Sequence, residues 1–282
     1  MTPWWSPAAL LALAALVTLW VGWRRRRLRL LEAVRKRPAR LQHPVVLAHG
    51  ILGFDELKRG PVKGTYFKGV EPRLTRLGAR VYSFQVHPTA SVAARAADLA
   101  RAISALDAPR VNIVAHSMGG LDARYLASKL VRGKVASIVT VGTPHRGTPL
   151  ADLGAGLWLV APATRMLLNA AGFEVEGFFE LTTEKMKQFN YQVIDQPDVF
   201  YGSWLARAPG LSQLTPLLFP TWQLLRTKSG DNDGLVPVSS QAWGETCGTI
   251  EADHWAQIGW AGGFDAPAFY ESVVKDLMQR GF

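Results

Sequence analysis

The sequence predicts an α/β fold: a mostly parallel central sheet with helices on both faces and an inserted helical cap, preceded by an N-terminal transmembrane helix. Two observations support the central part of this prediction. From residue 41 onward, short apolar runs alternate with stretches that have apolar residues at helical spacing, which is typical of parallel strands joined by helices. A chain of 282 residues, 48% of them hydrophobic, also has enough apolar material for one sizeable core.

The predicted strands are residues 45–48, 81–86, 111–115, 136–141 and 224–228. The predicted helices are residues 91–106, with Ser91 placed to cap the N-terminus, 120–131 and 267–279. Between residues 148 and 221 the alternation stops and no clear strand is evident, so we interpret this stretch as the inserted cap. Such a cap either packs on the core as ordinary helices or forms a lid whose apolar underside covers an acyl-binding cleft.

The net charge of +10 is concentrated at the N-terminus. Residues 1–40 carry nine Lys or Arg and one acidic residue, Glu32, which leaves a net charge of only +2 for the rest of the chain. A nucleic-acid-binding protein would spread its basic residues over a folded face, whereas here they follow an apolar run. We therefore expect no nucleic-acid partner.

Residues 4–23 form an uncharged segment, with tryptophans at both ends and the run Arg24 to Arg27 directly after it. Twenty helical residues span the roughly 30 Å hydrocarbon core of a bilayer. Terminal tryptophans and a basic flank are typical of membrane interfaces. We interpret residues 1–40 as a membrane anchor and basic linker, with the remaining domain facing the cytoplasm. The alternative is secretion after cleavage of a signal peptide, although neither a basic leader nor a small-residue cleavage site is present.

Ser117 is the predicted nucleophile. Residues 111–114 read as a buried strand that leads into a sharp turn and then a helix, which is the nucleophile elbow of the α/β-hydrolase fold. The tight turn lifts the serine hydroxyl clear of the sheet, and it requires small residues two positions before and after the serine. Ala115 and Gly119 meet this requirement.

The predicted oxyanion hole consists of two backbone N–H groups, those of Ile51 and Met118. Ile51 follows the strand at residues 45–48 in a glycine-containing turn, where this fold has its second oxyanion donor. His49 lies in the same turn. Because it precedes Ser117, against the order of nucleophile, acid and base in this fold, we expect it to have a structural or loop-positioning role.

His254 is the predicted general base. The chain has six histidines, and only His254 lies far enough after the serine to leave room for an intervening acid. The acid should then lie in the loop of residues 229–237, where both Asp231 and Asp233 are candidates. Either aspartate could also be a plain turn residue.

With these motifs identified, residues 44–254 resemble the bacterial triacylglycerol lipases of the α/β-hydrolase superfamily. The matching blocks are residues 48–54, 115–120, 141–148 and 232–236. The resemblance implies that Asp233 is the triad acid and supports Ile51 and Met118 as oxyanion donors. Many of these lipases also hold a structural calcium ion through an aspartate two residues after the catalytic histidine. Here that residue is Ala256, and residues 219–222 lack a carboxylate, so we expect no metal and no cofactor.

These features together predict that residues 41–282 form an α/β-hydrolase catalytic domain with a cap at about residues 148–221. The predicted function is that of a serine carboxylester hydrolase, a lipase or esterase that cleaves lipid-like acyl esters through an acyl-enzyme. The alternative is a membrane-associated acyltransferase or thioesterase with the same triad, since the three residues do not decide which nucleophile resolves the acyl-enzyme. A non-catalytic binding protein with this fold would be expected to lack part of the triad.

Overall fold

The computed structural model describes residues 20, 22–24, 40–51, 65–160 and 176–282, and the side chains of residues 157–160 are not described. The chain divides into two compact units, Met1–Arg40 and Leu41–Phe282. In the part of the chain that is described, no helix has the length and apolar character needed to cross a membrane. The predicted anchor at residues 4–23 lies almost wholly outside the described residues. The sheet and the helices that pack on it belong to the second unit.

Six strands form one sheet, and every neighbouring pair is parallel. The strands are β1 Val45–Ala48, β2 Val81–Ser83, β3 Val111–His116, β4 Val135–Val141, β5 Phe200–Arg207 and β6 Glu245–Glu251. Their spatial order is β2-β1-β3-β4-β5-β6, so the chain reverses its direction of travel across the sheet after β2. In open parallel sheets a crevice forms outside the carboxyl ends of the strands at such a switch point. Here it lies between β1 and β3.

Nine α-helices lie within the described part of this unit. They are α1 Val70–Arg76, α2 Val92–Ser104, α3 Gly119–Tyr125, α4 Pro149–Val160, α5 Glu176–Glu180, α6 Thr183–Gln192, α7 Phe219–Ser229, α8 Val238–Gln241 and α9 Ala266–Arg280. A single π turn, Leu126–Leu130, extends α3. The predicted cap residue of α2 has its expected contact, because the Ser91 side chain accepts a hydrogen bond from Ala94 N.

Helices cover both faces of the sheet, as predicted. Alternate residues of a strand point to opposite faces, and β1 shows the division clearly. Val45 and Leu47 belong to the core shared with α1 and α9, whereas Val46 and Ala48 belong to the core shared with α2 and α3. All four side chains of β1 are buried, which explains why this strand reads as a continuous apolar run rather than an alternating one.

The predicted strand at residues 224–228 is wrong, since these residues lie inside helix α7. Pro220 occupies the first turn of that helix, a position where proline is favourable because its missing N–H would have no partner. The last two strands of the sheet, β5 and β6, were not predicted.

The predicted cap at residues 148–221 is also too long, because β5 lies within it and is a strand of the central sheet. The helices α4, α5 and α6, which lie between β4 and β5, are the described helices of this stretch that precede the strand. Any inserted cap is therefore confined to the connection between these two strands.

Candidate active site

Ser117 lies at the tight turn between β3 and α3. Its φ of 55° makes it the one non-glycine residue of the described chain with a left-handed backbone. The turn is fixed by hydrogen bonds from Ser117 N to Val141 O (3.0 Å) and from Thr143 Oγ1 to Ser117 O (2.7 Å). A Cβ atom on Gly119 would lie 2.4 Å from Ala48 O, so the turn can pass β1 only if this residue is glycine. This geometry is the strained nucleophile elbow that the sequence predicts.

The structure brings together the three residues predicted as a triad. His254 Nε2 lies 3.0 Å from Ser117 Oγ, and His254 Nδ1 lies 2.8 Å from Asp233 Oδ2. Asp233 is fully buried, while Ser117 and His254 each retain 5% exposure. Because the imidazole contacts the serine through one nitrogen and the carboxylate through the other, it can take the hydroxyl proton while the carboxylate stabilises the resulting cation.

Asp233 is held in place by the loop that contains it. Its Oδ1 accepts hydrogen bonds from the backbone N–H groups of Leu235 (3.0 Å) and Val236 (2.8 Å), which leaves Oδ2 for the histidine. The other candidate acid, Asp231, is half exposed and forms an ion pair with Arg207 (2.8 Å). Of the two aspartates, only Asp233 contacts the histidine.

The backbone N–H groups of Ile51 and Met118 are the predicted oxyanion donors. In the part of the chain that is described, neither N–H donates a hydrogen bond to a protein acceptor. Met118 directly precedes α3, so its N–H lies at the positive end of that helix dipole. Two N–H groups without an acceptor among the described residues, one after β1 and one after β3, suit an oxyanion hole between these strands.

His49 has a structural role in this turn. Its ring contacts Gly50 O through Nδ1 (2.9 Å) and Val86 N through Nε2 (3.2 Å), so both nitrogens are occupied by the backbone. Burial, together with the nearby Arg95 cation, lowers the pKa of His49 to about 4. The neutral ring therefore ties the turn to the segment after β2.

Arg95, which no sequence motif marks, also supports this turn, residues 49–51, called the oxyanion turn below after its predicted role. Its guanidinium is fully buried, donates to His49 O (2.7 Å) and Gly50 O (3.3 Å), and forms an ion pair with Asp122 of α3 (2.7 Å). Burial raises the pKa of Asp122 to about 6, although Arg95 acts in the opposite direction. One signal was present in the sequence: Arg95 lies three residues after Val92 and four before Leu99, on the apolar face of its helix.

A cleft of about 550 Å³ opens above Ser117 and His254. Its remaining lining is predominantly apolar: Ile51, Tyr66, His116, Pro144, Thr148, Leu150, Phe178, Leu181, Thr215, Leu235, Val236, Trp255, Ile258 and Trp260. Residues from α4 and α5 contribute to one wall, so the connection between β4 and β5 does cover part of the cleft. Few polar groups other than the serine and histidines reach this space, which suits an apolar acyl chain.

The residue two positions after His254 is a buried alanine, Ala256. Within the described ranges no group of three or more His, Cys, Asp and Glu side chains is arranged to hold a metal ion. Asp253, next to the histidine, uses Oδ1 to accept the N–H groups of Trp255 (2.9 Å) and Ala256 (2.7 Å). The Asp253 carboxylate therefore orders the loop of residues 253–256, which contains His254.

A six-stranded parallel sheet, a strained serine elbow bonded to a histidine and a buried aspartate, and an apolar cleft above the serine define a lipase or esterase of the α/β-hydrolase type. The family model described as a domain of unknown function (DUF7379) matches residues 23–199. Since this match covers more than half of the chain, the protein belongs to that family.

Several relatives are named as triacylglycerol lipases. Triacylglycerol lipase 2 of Saccharomyces cerevisiae is 27% identical over 307 residues, covering 86% of this chain and 93% of the yeast protein. A triacylglycerol lipase of Vibrio cholerae is 40% identical over 121 residues, and that match spans 41% of this chain but only 37% of the Vibrio lipase. The crystal structure of mature Bacillus licheniformis lipase BlEst2 has a TM-score of 0.66 at 22% identity, covering 86% of this chain and 94% of that one. This last likeness concerns the fold alone.

Proposed function

We propose that the protein hydrolyses carboxylic esters of lipid-like acyl chains through an acyl-enzyme formed on Ser117. The observation that carries the proposal is the hydrogen-bonded series from Ser117 Oγ through His254 to Asp233, at the base of an apolar cleft. The named lipase relatives support an acyl ester as the substrate.

In the first half-reaction His254 Nε2 takes the proton of Ser117 Oγ as the oxygen attacks the ester carbonyl carbon. The negative charge that develops on the carbonyl oxygen is stabilised by the N–H groups of Ile51 and Met118, and Asp233 stabilises the imidazolium. The tetrahedral intermediate collapses when the C–O bond to the alcohol breaks and His254 returns its proton to that leaving oxygen. An ester between Ser117 and the acyl group remains.

In the second half-reaction His254 removes a proton from water, whose oxygen attacks the acyl-enzyme carbonyl. The same two N–H groups stabilise the second oxyanion, and the histidine then protonates Ser117 Oγ as the acid product leaves. A cleft of about 550 Å³ with an apolar lining stabilises a bound acyl chain by removing it from water, so longer chains should bind more tightly until the cleft is filled.

The decisive variant is Ser117→Ala, with Ser212→Ala as its matched control. Ser212 is exposed and lies outside the cleft lining, so its replacement should leave the activity unchanged. We expect Ser117→Ala to abolish turnover of p-nitrophenyl esters and labelling by a fluorophosphonate. Retention of either property by Ser117→Ala would refute the assignment of the nucleophile. A predominance of new ester over free acid when an alcohol is added would instead indicate an acyltransferase.

We further propose that residues 4–23 anchor the protein in a membrane and that the catalytic domain faces the cytoplasm. The support is the uncharged length of this segment, its terminal tryptophans and the arginines that follow it. Retention in the membrane fraction after alkaline carbonate extraction, and its loss on deletion of residues 1–40, would support the anchor. A reporter fused after Phe282 that is active only outside the cytoplasm would contradict the orientation, and a mature protein lacking the segment would indicate a cleaved signal peptide.

A further inference from the structure

We propose that Gln257, His116 and Tyr66 form a positioning network that holds the triad carboxylate and the oxyanion turn in one hydrogen-bonded chain. This inference rests on the proposed function, because it assigns a role in the same reaction to residues that do not touch the reacting atoms. These three side chains form an unbroken series of contacts between Asp233 and the backbone of Gly50.

The series begins at the oxygen of Asp233 that also contacts His254. Gln257 Nε2 donates to Asp233 Oδ2 (2.9 Å), and Gln257 Oε1 lies 3.1 Å from His116 Nε2. Both Gln257 and His116 are fully buried, so neither side chain can exchange these partners for solvent. The amide of Gln257 thus connects the carboxylate of the triad to the histidine that precedes Ser117.

The series continues from His116 to the oxyanion turn. His116 Nδ1 lies 2.7 Å from the hydroxyl of Tyr66, and the same hydroxyl accepts a hydrogen bond from Gly50 N (3.0 Å). Gly50 directly precedes Ile51, whose N–H is a proposed oxyanion donor. A side chain on Gly50 would have its Cβ 2.7 Å from Ser117 Cβ and 2.8 Å from the Tyr66 hydroxyl, so glycine is required for this close approach.

The hydrogen positions in this series follow from its two ends. Since Gly50 N–H can only donate, the Tyr66 oxygen accepts there and its own proton is directed to His116 Nδ1. His116 therefore carries its proton on Nε2, which suits the carbonyl oxygen of Gln257 as acceptor. The amide nitrogen of Gln257 then faces a carboxylate that can only accept. A single assignment of protons therefore gives each of these four contacts one donor and one acceptor.

This arrangement requires a neutral His116. Burial lowers the pKa of His116 well below its usual value, and the neighbouring His254 acts in the same direction. The two rings have centroids 4.5 Å apart. Because His116 is neutral, the network contacts the triad without a second positive charge beside the imidazolium that forms during catalysis.

Two further hydrogen bonds link the segment around Tyr66 to the segment that follows His254. Trp260 Nε1 donates to Tyr66 O (2.8 Å), and Lys68 N donates to Ile258 O (3.0 Å). A movement of the loop that contains His254 would therefore be transmitted to the Tyr66 hydroxyl. Both side-chain and backbone contacts therefore connect the triad to the oxyanion turn. Catalytic groups held in fixed positions in this way are preorganised to stabilise the transition state.

The test is a double-mutant cycle with Tyr66→Phe and Gln257→Met, whose control is Tyr270→Phe. Tyr270 is a buried tyrosine of the core against which Tyr66 packs, and its hydroxyl has no hydrogen-bond partner among the described residues. Removal of the Tyr270 hydroxyl should leave the activity unchanged. Tyr66→Phe keeps the ring and removes only the hydroxyl. We expect kcat for p-nitrophenyl butyrate to fall about tenfold or more in each single variant, with KM within about twofold, because displaced donors stabilise the transition state less well.

The double variant should lose little more than the worse single variant, because either change already breaks the chain. Multiplicative losses, or a Tyr66→Phe enzyme with the kcat of the Tyr270→Phe control, would overturn the network. The rate of Ser117 labelling by a fluorophosphonate should follow the same pattern. If the wild type is labelled but hydrolyses no ester, the proposed function is wrong. The labelling rates of the variants then still test whether the three residues act as one network. His116→Leu replaces Gln257→Met in the cycle if the latter does not fold.

Discussion

The replacement of Arg95 by methionine tests whether a buried cation supports the oxyanion turn. Methionine has a similar length and is apolar, so the substitution removes the charge and all donors without leaving a large cavity. In the native structure the guanidinium contacts the Asp122 carboxylate and the carbonyl oxygens of His49, Gly50 and His87, and it is completely buried. The variant leaves one carboxylate and three carbonyl groups without this partner.

The expected loss of stability is about 3–5 kcal/mol, the typical cost of removing one partner from a buried ion pair. Folded domains are stable by only about 5–15 kcal/mol, so such a loss should be evident as a large shift of the unfolding midpoint. The cost should also depend on pH. Burial already raises the pKa of Asp122 to about 6, and removal of the cation raises it further. The folded state of the variant then keeps a proton that the unfolded chain releases, so the variant becomes less stable as the pH rises from about 4, the ordinary pKa of an aspartate, and this loss continues to a higher pH than in the wild type.

The measurement is urea unfolding followed by tryptophan fluorescence, with Arg101→Met as the matched control. Arg101 lies on the same helix and pairs with Asp98, but its side chain is 80% exposed, so its loss should cost less than about 1 kcal/mol. The double variant Arg95→Met/Asp122→Leu should recover part of the stability, because no unpaired charge remains buried. If Arg95→Met is no less stable than Arg101→Met, the buried ion pair does not stabilise the fold.

Three further predictions concern the elbow, a buried histidine and the triad acid. Gly119→Ala should prevent folding or lower the melting temperature strongly, since its Cβ would lie 2.4 Å from Ala48 O. The control Gly156→Ala, which has open space around it in α4, should stabilise the protein by up to about 1 kcal/mol. Equal melting temperatures for the two variants would contradict this prediction. Burial lowers the pKa of His49 from 6.5 to about 4, so below pH 6.5 the unfolded state binds a proton that the native state excludes. The free energy of unfolding should therefore fall by up to about 3 kcal/mol between pH 6.5 and 4. Urea titrations that show no change of stability over this range would argue against a buried neutral His49. Asp233→Asn should lower kcat about 10⁴-fold by favouring the wrong histidine tautomer, and a loss of less than tenfold in ester turnover would be inconsistent with its assigned role.

The central strands could be predicted from the sequence because they are buried on both faces and therefore read as apolar runs. The two missed strands break that pattern for identifiable reasons. Glycines interrupt both: a Cβ on Gly202 would lie 2.9 Å from Cys247 Sγ, and one on Gly248 would lie 2.5 Å from the Trp204 ring. Strand β6 is also the edge of the sheet and has mostly exposed or half-buried residues, so it lacks the apolar run on which the prediction depended.

The candidate triad was predictable because α/β hydrolases constrain the order of the residues and the local shape of the elbow. Ser117 is marked by its small neighbours, and His254 follows from chain order alone. The supporting residues have no such signature. Tyr66 and His116 are 50 positions apart, and Gln257 is 141 positions after His116, so their contacts exist only once the sheet has formed. A glutamine three residues after a histidine carries no distinctive sequence signal.

The oxyanion turn is held by hydrogen bonds from two sides. Its carbonyl groups at His49 and Gly50 are held by Arg95 from one side, while the N–H of Gly50 is held by Tyr66 from the other. The His49–Gly50 peptide unit is held at both its oxygen and its nitrogen, and the next peptide unit, which carries the Ile51 N–H, is held at its oxygen. Both units can rotate little, so the Ile51 N–H, a proposed oxyanion donor, would not have to be reoriented when the oxyanion forms. Donors that are already aligned stabilise a transition state without a reorganisation cost. The loop after β1 is therefore expected to contribute to kcat rather than to substrate affinity. The same split between kcat and KM should distinguish changes at Arg95, or loss of the Tyr66 hydroxyl alone, from changes of apolar lining residues such as Leu150 and Phe178.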